Sequence, residues 1–361
     1  LHQFRNYDDL DLLLSPGFNV LTGANGQGKT NLLEALHWIS TTRLLRGQKD
    51  AEAIAHGSPQ TAVHVTLRPF SSRLSMTLER GSRKRAALDG TGLSRAADLI
   101  GKLRCVSIGS GDLAIVQGEP AERRSFADLE LSSQSAAYLR HLTLYKRALE
   151  QRNSLLKQAR EEGFVVPEIF EPWEEQLAEH GSRLRTGRLE AFEELERLAN
   201  RFQGWLGQGE ALSLSWNHRD EPLEMGELAT LFRLSRNADI QRGSTSVGPH
   251  RDDLVLNVNG REARWYASQG QQRTTMISIK LATLERSQSL FKSPPLLLLD
   301  DILSDLDERR RRALVEIVLA KAGQAMLTCT EPSIAGASIL AEAQVFEVDS
   351  GTVKSLSMGV E

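Results

Sequence analysis

The sequence predicts an α/β fold in which mixed sheets surround a phosphate-binding loop and an inserted helical lobe separates the two sheet-forming parts of the chain. Three observations carry this prediction. Gly23-Ala24-Asn25-Gly26-Gln27-Gly28-Lys29-Thr30 reads G-x-x-x-x-G-K-T and lies between the strand-like Phe18–Thr22 and the helix-spaced Leu32, Leu33, Leu36 and Ile39. Leu296-Leu297-Leu298-Leu299 is an apolar run without alternation, as expected of a strand covered on both faces of a parallel sheet, and it ends in Asp300-Asp301. From about Pro120 the texture turns helical: Tyr138, Leu142, Tyr145, Leu149 and Leu156 fall at helix spacing, and Trp173, Leu177, Leu184, Leu195 and Leu198 follow after a break at 163–172.

The remaining elements fill in around these. Val63, Val65 and Leu67, then Leu74, Met76 and Leu78, alternate as the two strands of a hairpin with one face on a core. Alternation returns at Leu212, Leu214 and Trp216 and again at Leu254, Leu256 and Val258, where Asn259-Gly260 is a tight-turn signal. The last hundred residues contain a helical run from Gln271 to Leu290, a break at Pro294-Pro295, the leucine strand, an arginine-rich helix starting near Asp307 and a strand candidate over 325–329.

Composition sets the class. With 44 basic and 47 acidic residues the formal charge is -3, and 40% of residues are hydrophobic, so a folded chain is expected and a disordered one excluded. Cys105 and Cys329 sit in apolar contexts, too few for a thiolate metal cluster or a disulfide framework. No run approaches the roughly 20 apolar residues of a membrane-spanning helix, so no membrane association is expected and a cytoplasmic location is.

The chemistry sits at the two ends of the chain. Glycines let the backbone at 23–28 curl until its amides converge on phosphate oxygens, and the helix N-terminus that follows adds a favourable dipole. Lys29 supplies a point charge to the β- and γ-phosphates of ATP, and the Thr30 hydroxyl is a ligand for Mg²⁺. Such a loop needs an acidic partner at the end of a buried strand. Asp300 is expected in the magnesium shell, and Asp301 is expected to orient the attacking water. The nucleotide lobe is therefore expected over 1–118 and 209–361, with 119–208 as the inserted helical lobe.

An ordered set of further blocks accompanies the loop: Phe4-Arg5-Asn6-Tyr7, Gly118-Glu119-Pro120-Ala121-Glu122-Arg123-Arg124, Val247-Gly248-Pro249-His250-Arg251-Asp252-Asp253-Leu254, Ala267-Ser268-Gln269-Gly270-Gln271-Gln272-Arg273 and Asp300-Asp301-Ile302-Leu303-Ser304-Asp305-Leu306-Asp307. In these the chain resembles the ABC-type ATPase heads of the structural-maintenance-of-chromosomes and Rad fifty class, and within it the RecF family. The resemblance implies a weak, DNA-stimulated ATPase that forms an ATP-dependent homodimer on double-stranded or gapped DNA and promotes recombinase loading with RecR and RecO. It implies a composite site in which Ser268 and Gly270 of one copy cap the γ-phosphate held by Lys29 of the other, with Ser304, Asp305 and Asp307 on the loop that crosses the interface. Gln117 resembles the magnesium-watching glutamine, although related sequences place that loop nearer Asp112. Arg5, Arg43 and Arg46 approach the nucleotide in this reading, and His250 carries weight through the resemblance alone. One departure stands out, since many such heads carry a switch histidine where this chain has Thr328-Cys329-Thr330. Thr328 or Thr330 is then expected on the γ-phosphate or the water. The chain also has no Cys-x-x-Cys hook.

The balanced total hides a local excess, because residues 67–104 hold nine basic against three acidic residues. Arg80, Arg83, Lys84 and Arg85 at a hairpin end are candidate point contacts to a duplex backbone, which would be salt-sensitive and indifferent to base sequence. Arg123 and Arg124 are further candidates. The alternative function is a regulatory ATPase of the same type acting on a macromolecule other than DNA.

Overall fold

The computed structural model describes residues 1–45, 49–163, 166–218 and 224–356. In chain order the elements are β1 (His2–Phe4), β2 (Tyr7–Asp9), β3 (Phe18–Thr22), α1 (Lys29–Thr41), β4 (Gln60–Leu67), β5 (Ser72–Glu79), β6 (Arg85–Leu88), β7 (Thr91–Gly92), β8 (Cys105–Gly109), α2 (Ala114–Gln117), α3 (Pro120–Gln134), α4 (Ala136–Glu162) and α5 (Glu171–Leu206). There follow β9 (Leu212–Asn217), α6 (Met225–Arg242), β10 (Asp253–Val258), β11 (Arg261–Glu262), α7 (Ala263–Tyr266), α8 (Gln269–Phe291), β12 (Leu296–Asp300), α9 (Glu308–Lys321), β13 (Ala325–Thr328), α10 (Ala337–Leu340), β14 (Ala343–Asp349) and β15 (Thr352–Leu356). Packing divides the chain into two units, one of residues 1–113, 198–210 and 268–361, the other of 114–197 and 211–267. Residues 211–267 thus group with the inserted helices, whereas the sequence texture had joined them to the C-terminal sheet region.

In the first unit the nucleotide-type sheet runs β15-β14-β3-β13-β12-β8. The five strands from β14 to β8 are parallel and only β15 runs antiparallel. Every residue of β3 and β8 is buried, as are Leu296 to Leu299 of β12, which is why the leucine run shows no alternation. Register decides where the site falls. Thr328 of β13 pairs with Leu21 of β3 on one side and Asp300 of β12 on the other, so the phosphate loop leaves the sheet beside the Asp300-Asp301 end. Ligands of open parallel sheets bind at this carboxyl edge.

The second sheet of this unit is antiparallel, in the order β2-β1-β4-β5-β6-β7. Helix α1 serves both sheets. Trp38 and Ile39 pack with Phe4, Val63, Leu74 and Met76 of the antiparallel sheet, with the Phe4 and Trp38 rings 5.8 Å apart, while Leu32 and Leu33 join Leu21, Leu298 and Met326 of the parallel one. The helix that carries Lys29 and Thr30 is therefore anchored to both sheets by apolar contacts.

The other unit is built on α4 and α5. Ser135 caps α4 by accepting the Tyr138 N–H, and Gly163 ends it in the left-handed region at φ 70°. The two glycines that interrupt the heptad pattern of α5 have a packing reason, because a Cβ at Gly181 or Gly187 would come within 3.2 Å of the Tyr145 or Tyr138 ring on α4. β9 joins this unit through an edge-to-face contact of Phe192 with Trp216 at 5.2 Å and through Glu196, which accepts the Leu214 N–H. Among the described residues no helix is long and apolar enough to cross a membrane.

Each unit buries a histidine in its neutral form. Burial pushes His37 of α1 down to about 3 and His250 down to about 4. His250 Nε2–H donates to Thr245 O, which leaves Nδ1 to accept from the Tyr145 hydroxyl at 2.7 Å. A folded value below the unfolded 6.5 means that stability is full above pH 6.5 and falls as the unfolded chain takes up the proton. Each pH unit below 6.5 is expected to cost about 1.4 kcal/mol per such histidine until its folded value is reached. Thermal melts between pH 7 and pH 4.5 check this, and a midpoint independent of pH across that window would refute it.

Candidate functional site

The phosphate loop is shaped by its glycines and braced by its neighbours. Gly23 has φ 141° and Gly28 has φ 115°, and neither has room for a side chain: a Cβ at Gly23 would run into the Val348 carbonyl, and one at Gly28 into the Asn6 side chain and the Tyr7 hydroxyl. Tyr7 Oη donates to Gly28 O at 3.1 Å and Asn6 Nδ2 to Gln27 O at 3.0 Å, while Asn31 Nδ2 donates to Asn6 Oδ1 at 2.8 Å. From the other end of the chain, the turn between β14 and β15 closes on the same loop: Ser350 N–H donates to Gln27 Oε1 at 2.8 Å and Gly351 N–H to Gln27 O at 3.2 Å. Ala24, Asn25 and Gly26 remain exposed at its tip. Lys29 is buried and donates from Nζ to Gly23 O and Ala24 O, at 2.5 and 2.8 Å. Its ammonium is held below the usual lysine range by burial, against the opposing pull of Asp301 and Asp300.

The acidic partner is in place. Asp300 Oδ1 accepts from the Thr30 hydroxyl at 2.7 Å and from the Thr328 hydroxyl at 3.0 Å. Asp301 adopts φ 53°, its N–H donates to Thr328 Oγ1 at 2.9 Å, and its Oδ1 accepts from Ser304 Oγ at 2.6 Å. The expectation that Thr328 faces a γ-phosphate meets a difficulty, because its hydroxyl proton is already directed to Asp300. Thr330 instead accepts at its carbonyl from the Thr22 hydroxyl. Among the described residues no group of three or more His, Cys, Asp or Glu is arranged to hold a metal alone. Thr30 and Asp300 offer two adjacent hard oxygen donors, the kind of partial shell that suits Mg²⁺ completed by phosphate and water. Asp112 lies at the end of β8, where it accepts the Gly109 N–H at 2.9 Å and pairs with Lys280 at 3.6 Å; Gly109 is itself packed against the Asp300 side chain. Gln117 is exposed at the end of α2, in the other unit.

Ser268 is the N-cap of α8 in a reciprocal capping box: its Oγ accepts the Gln271 N–H and its N–H donates to Gln271 Oε1. Gly270, in the first turn, lies under the Arg310 guanidinium, 3.1 Å from where a Cβ would stand. The Ser304–Asp307 loop is tied to the same helix start, because Arg273 of α8 pairs with Asp305 at 3.8 Å and Asp307, the N-cap of α9, holds the Arg310 side chain at 3.0 Å. Hydrogen bonding from the Arg310 N–H keeps the Asp307 carboxyl below its usual range. Among the described residues neither Ser268 nor Gly270 hydrogen-bonds to the phosphate loop of its own chain.

The cations divide into two kinds. Arg83 and Arg85 are exposed around the turn between β5 and β6; Arg85 lies 3.4 Å from Glu79, and among the described residues Arg83 has no ion-pair partner. Arg80 is also exposed but donates to Ser58 O and Ala55 O, and half-buried Lys84 bonds Asp50 and Thr42 O. In the other unit Arg123 is buried and bonds both oxygens of Asp253 at 2.8 and 2.9 Å, and Arg124 donates to Asp252 O while burial lowers its guanidinium from the usual range. Arg5 pairs with buried Glu34 at 2.7 Å, Arg43 is exposed, and Arg46 lies outside the described residues. Sequence reasoning missed the bracing of the loop by Asn6, Tyr7, Ser350 and Gly351. Only the quoted Phe4-Arg5-Asn6-Tyr7 block hinted at the first two.

Comparison with known proteins follows the same residues. The RecF/RecN/SMC N terminal domain model matches residues 1–352. The DNA replication and repair protein RecF of Symbiobacterium thermophilum is 39% identical over 367 residues, covering 98% of this chain and 96% of that protein. Its namesake in Lachnoclostridium phytofermentans is 36% identical over 357 residues, with 98% of each covered. A solved structure of the recombination mediator protein RecF-ATP in the RecFOR pathway superposes with a TM-score of 0.90 at 29% identity, covering 99% of this chain and 96% of that one. An Smc head domain from Pyrococcus furiosus, at 16% identity and a TM-score of 0.56 over 99% of this chain and 94% of that one, shares the fold. A family match over nearly the whole length, with relatives aligned from end to end, leaves one conclusion: the chain belongs to the RecF family.

Proposed function

We propose that this protein is an ATP-dependent DNA-binding protein of recombinational DNA repair and replication maintenance, acting in the cytoplasm, with weak ATP hydrolysis. One observation carries the reading: in a RecF-family chain, the Thr30 hydroxyl and the Asp300 carboxylate meet at 2.7 Å beside the N-terminus of α1. Lys29, which donates to two loop carbonyls, turns to the β- and γ-phosphates when ATP enters, and the loop amides receive the remaining phosphate oxygens. Thr30 and Asp300 hold Mg²⁺ in this reading. Bound Mg²⁺ supplies charge neutralisation across the phosphate oxygens. Asp301 orients the attacking water.

Assembly is the second half. Ser268 and Gly270, at the start of α8, cap the γ-phosphate of a second copy, and Ser304, Asp305 and Asp307 cross the shared interface. A ligand that binds only the closed pair stabilises it by mass action, and hydrolysis withdraws that support. Double-stranded or gapped DNA meets Arg83 and Arg85 first, since both are exposed around the hairpin turn, whereas Lys84, Arg123 and Arg124 are partly or wholly buried against their partners. RecR, with RecO in the same pathway, is the expected protein partner, and recombinase loading the outcome.

The test compares duplex, gapped and single-stranded DNA binding with ATP, ADP and no nucleotide, while sedimentation records the oligomeric state. An ATP-stabilised dimer with duplex affinity supports the reading. A dimer that ignores DNA in every nucleotide state points to the alternative, a regulatory ATPase with another macromolecular partner. Converting Arg83 and Arg85 to Glu is expected to weaken duplex binding about tenfold or more and to flatten its salt dependence by about one unit of slope per lost phosphate contact. Unchanged affinity and slope would remove this turn from the interface.

A further inference from the structure

We infer that Thr328 is a positioning residue for ATP hydrolysis: its hydroxyl holds the Asp300 side chain and the Asp301 backbone in one arrangement, in place of any contact with the γ-phosphate. The inference rests on the reading of this site as an ATPase. A threonine hydroxyl has one proton to give and can accept in return. Here the proton goes to Asp300 Oδ1 at 3.0 Å, and the lone pair receives the Asp301 N–H at 2.9 Å. With that proton committed, the hydroxyl has none to donate to a phosphate oxygen.

The register makes this arrangement possible. Thr328 ends β13 directly opposite Asp300, on the strand that separates the phosphate-loop strand from the acidic one. Thr328 is 2% exposed and is followed in the chain by buried Cys329 and preceded by buried Leu327, so bulk water does not stand in for its hydroxyl.

Asp301 shows why the contact matters. A non-glycine residue at φ 53° is in a sparsely populated region that persists only where its surroundings hold it. Two hydroxyls do so. Thr328 takes the N–H, and Ser304 takes the carboxylate at 2.6 Å. The carboxylate that would orient water is thus aimed through its own backbone, and the backbone is held by Thr328. Asp300, bonded by Thr30 and Thr328 to the same oxygen, is aligned from both sides.

Thr328→Val removes the hydroxyl at nearly constant volume, and Thr328→Ser keeps it. In the full chain, T328V is expected to lower kcat by about 10- to 100-fold, the loss typical of a misplaced catalytic group, while the ATP affinity changes by less than about threefold, as expected when binding contacts are spared. T328S should stay near wild type. Hydrogen exchange of the peptide containing Asp301, followed without nucleotide, is expected to be faster in T328V and unchanged in T328S. Should valine prevent folding, Thr328→Ala gives the same comparison. Wild-type turnover with unchanged exchange in T328V would overturn the inference, as would equal losses in T328V and T328S. A wild-type chain that hydrolyses no ATP defeats the ATPase reading instead, and the exchange experiment still decides whether Thr328 holds Asp301.

Discussion

Replacing Lys29 with Ala is expected to weaken ATP binding by about 100-fold or more. Hydrogen bonds to a charged group are worth about 1.5–3 kcal/mol each, and a loss of about 3 kcal/mol corresponds to roughly 100-fold in affinity. The ammonium is buried at the base of the loop, where burial sharpens its interaction with phosphate, and no other cation is seen bonded to the loop among the described residues. The fold should survive, because α1 is fixed by Leu32, Leu33, Trp38 and Ile39. Calorimetric titration with ATP measures the first effect and a thermal melt the second. An affinity within about threefold of wild type would show that the loop amides alone hold the nucleotide.

The second large effect lies away from the nucleotide. Asp252 is wholly buried and faces two guanidinium groups and an imidazole: Arg185 bonds both its oxygens at 2.5 and 2.9 Å, His218 bonds it at 2.9 Å, and Arg188 stands 3.8 Å away. Burial alone would raise its carboxyl, but the hydrogen bonds from His218 and Arg185 outweigh that and lower it. Asp252→Ala takes from buried Arg185 the carboxylate that its guanidinium bonds through two nitrogens, a change that typically costs about 3–5 kcal/mol. Urea denaturation followed by hydrogen exchange should show the unit of residues 114–197 and 211–267 losing protection first. Pairing Asp252→Ala with Arg185→Met should recover much of the loss, since replacing a buried ion pair by apolar groups is often close to neutral. If the double variant is no better than the single, the ion pair is not the source.

The two predictions differ in how readable their residues were beforehand. Lys29 announces itself, because the glycine spacing around it has one dominant physical use and its strand and helix flank it in the chain. Asp252 does not. Its partners Arg185 and Arg188 lie more than sixty residues away, and an Asp-Asp beside an arginine reads in sequence as solvated surface. The same limit explains Arg123 and Arg124. Their charge was visible, but Asp253, 130 residues on, was invisible as the partner that buries Arg123. Arg80 and Lys84 were likewise counted as a patch before the carbonyls and Asp50 that hold them were known. Thr328 was visible only as a departure from a histidine. What it does became clear from the strand register, which no local spacing encodes.

The strand that carries the phosphate loop, β3, pairs only with β13 and β14. Phe18 meets Ala325 and Ala343, so its sheet neighbours are made roughly 300 residues after it. At about 5–20 residues per second of synthesis, the loop spends tens of seconds without the strands that flank it and without the Ser350-Gly351 turn that closes on Gln27. A chain that has not yet reached residues 325–351 therefore lacks the strands and the turn that fix the loop. Binding competence is then expected only once the β14–β15 hairpin is made, however early the loop itself leaves synthesis.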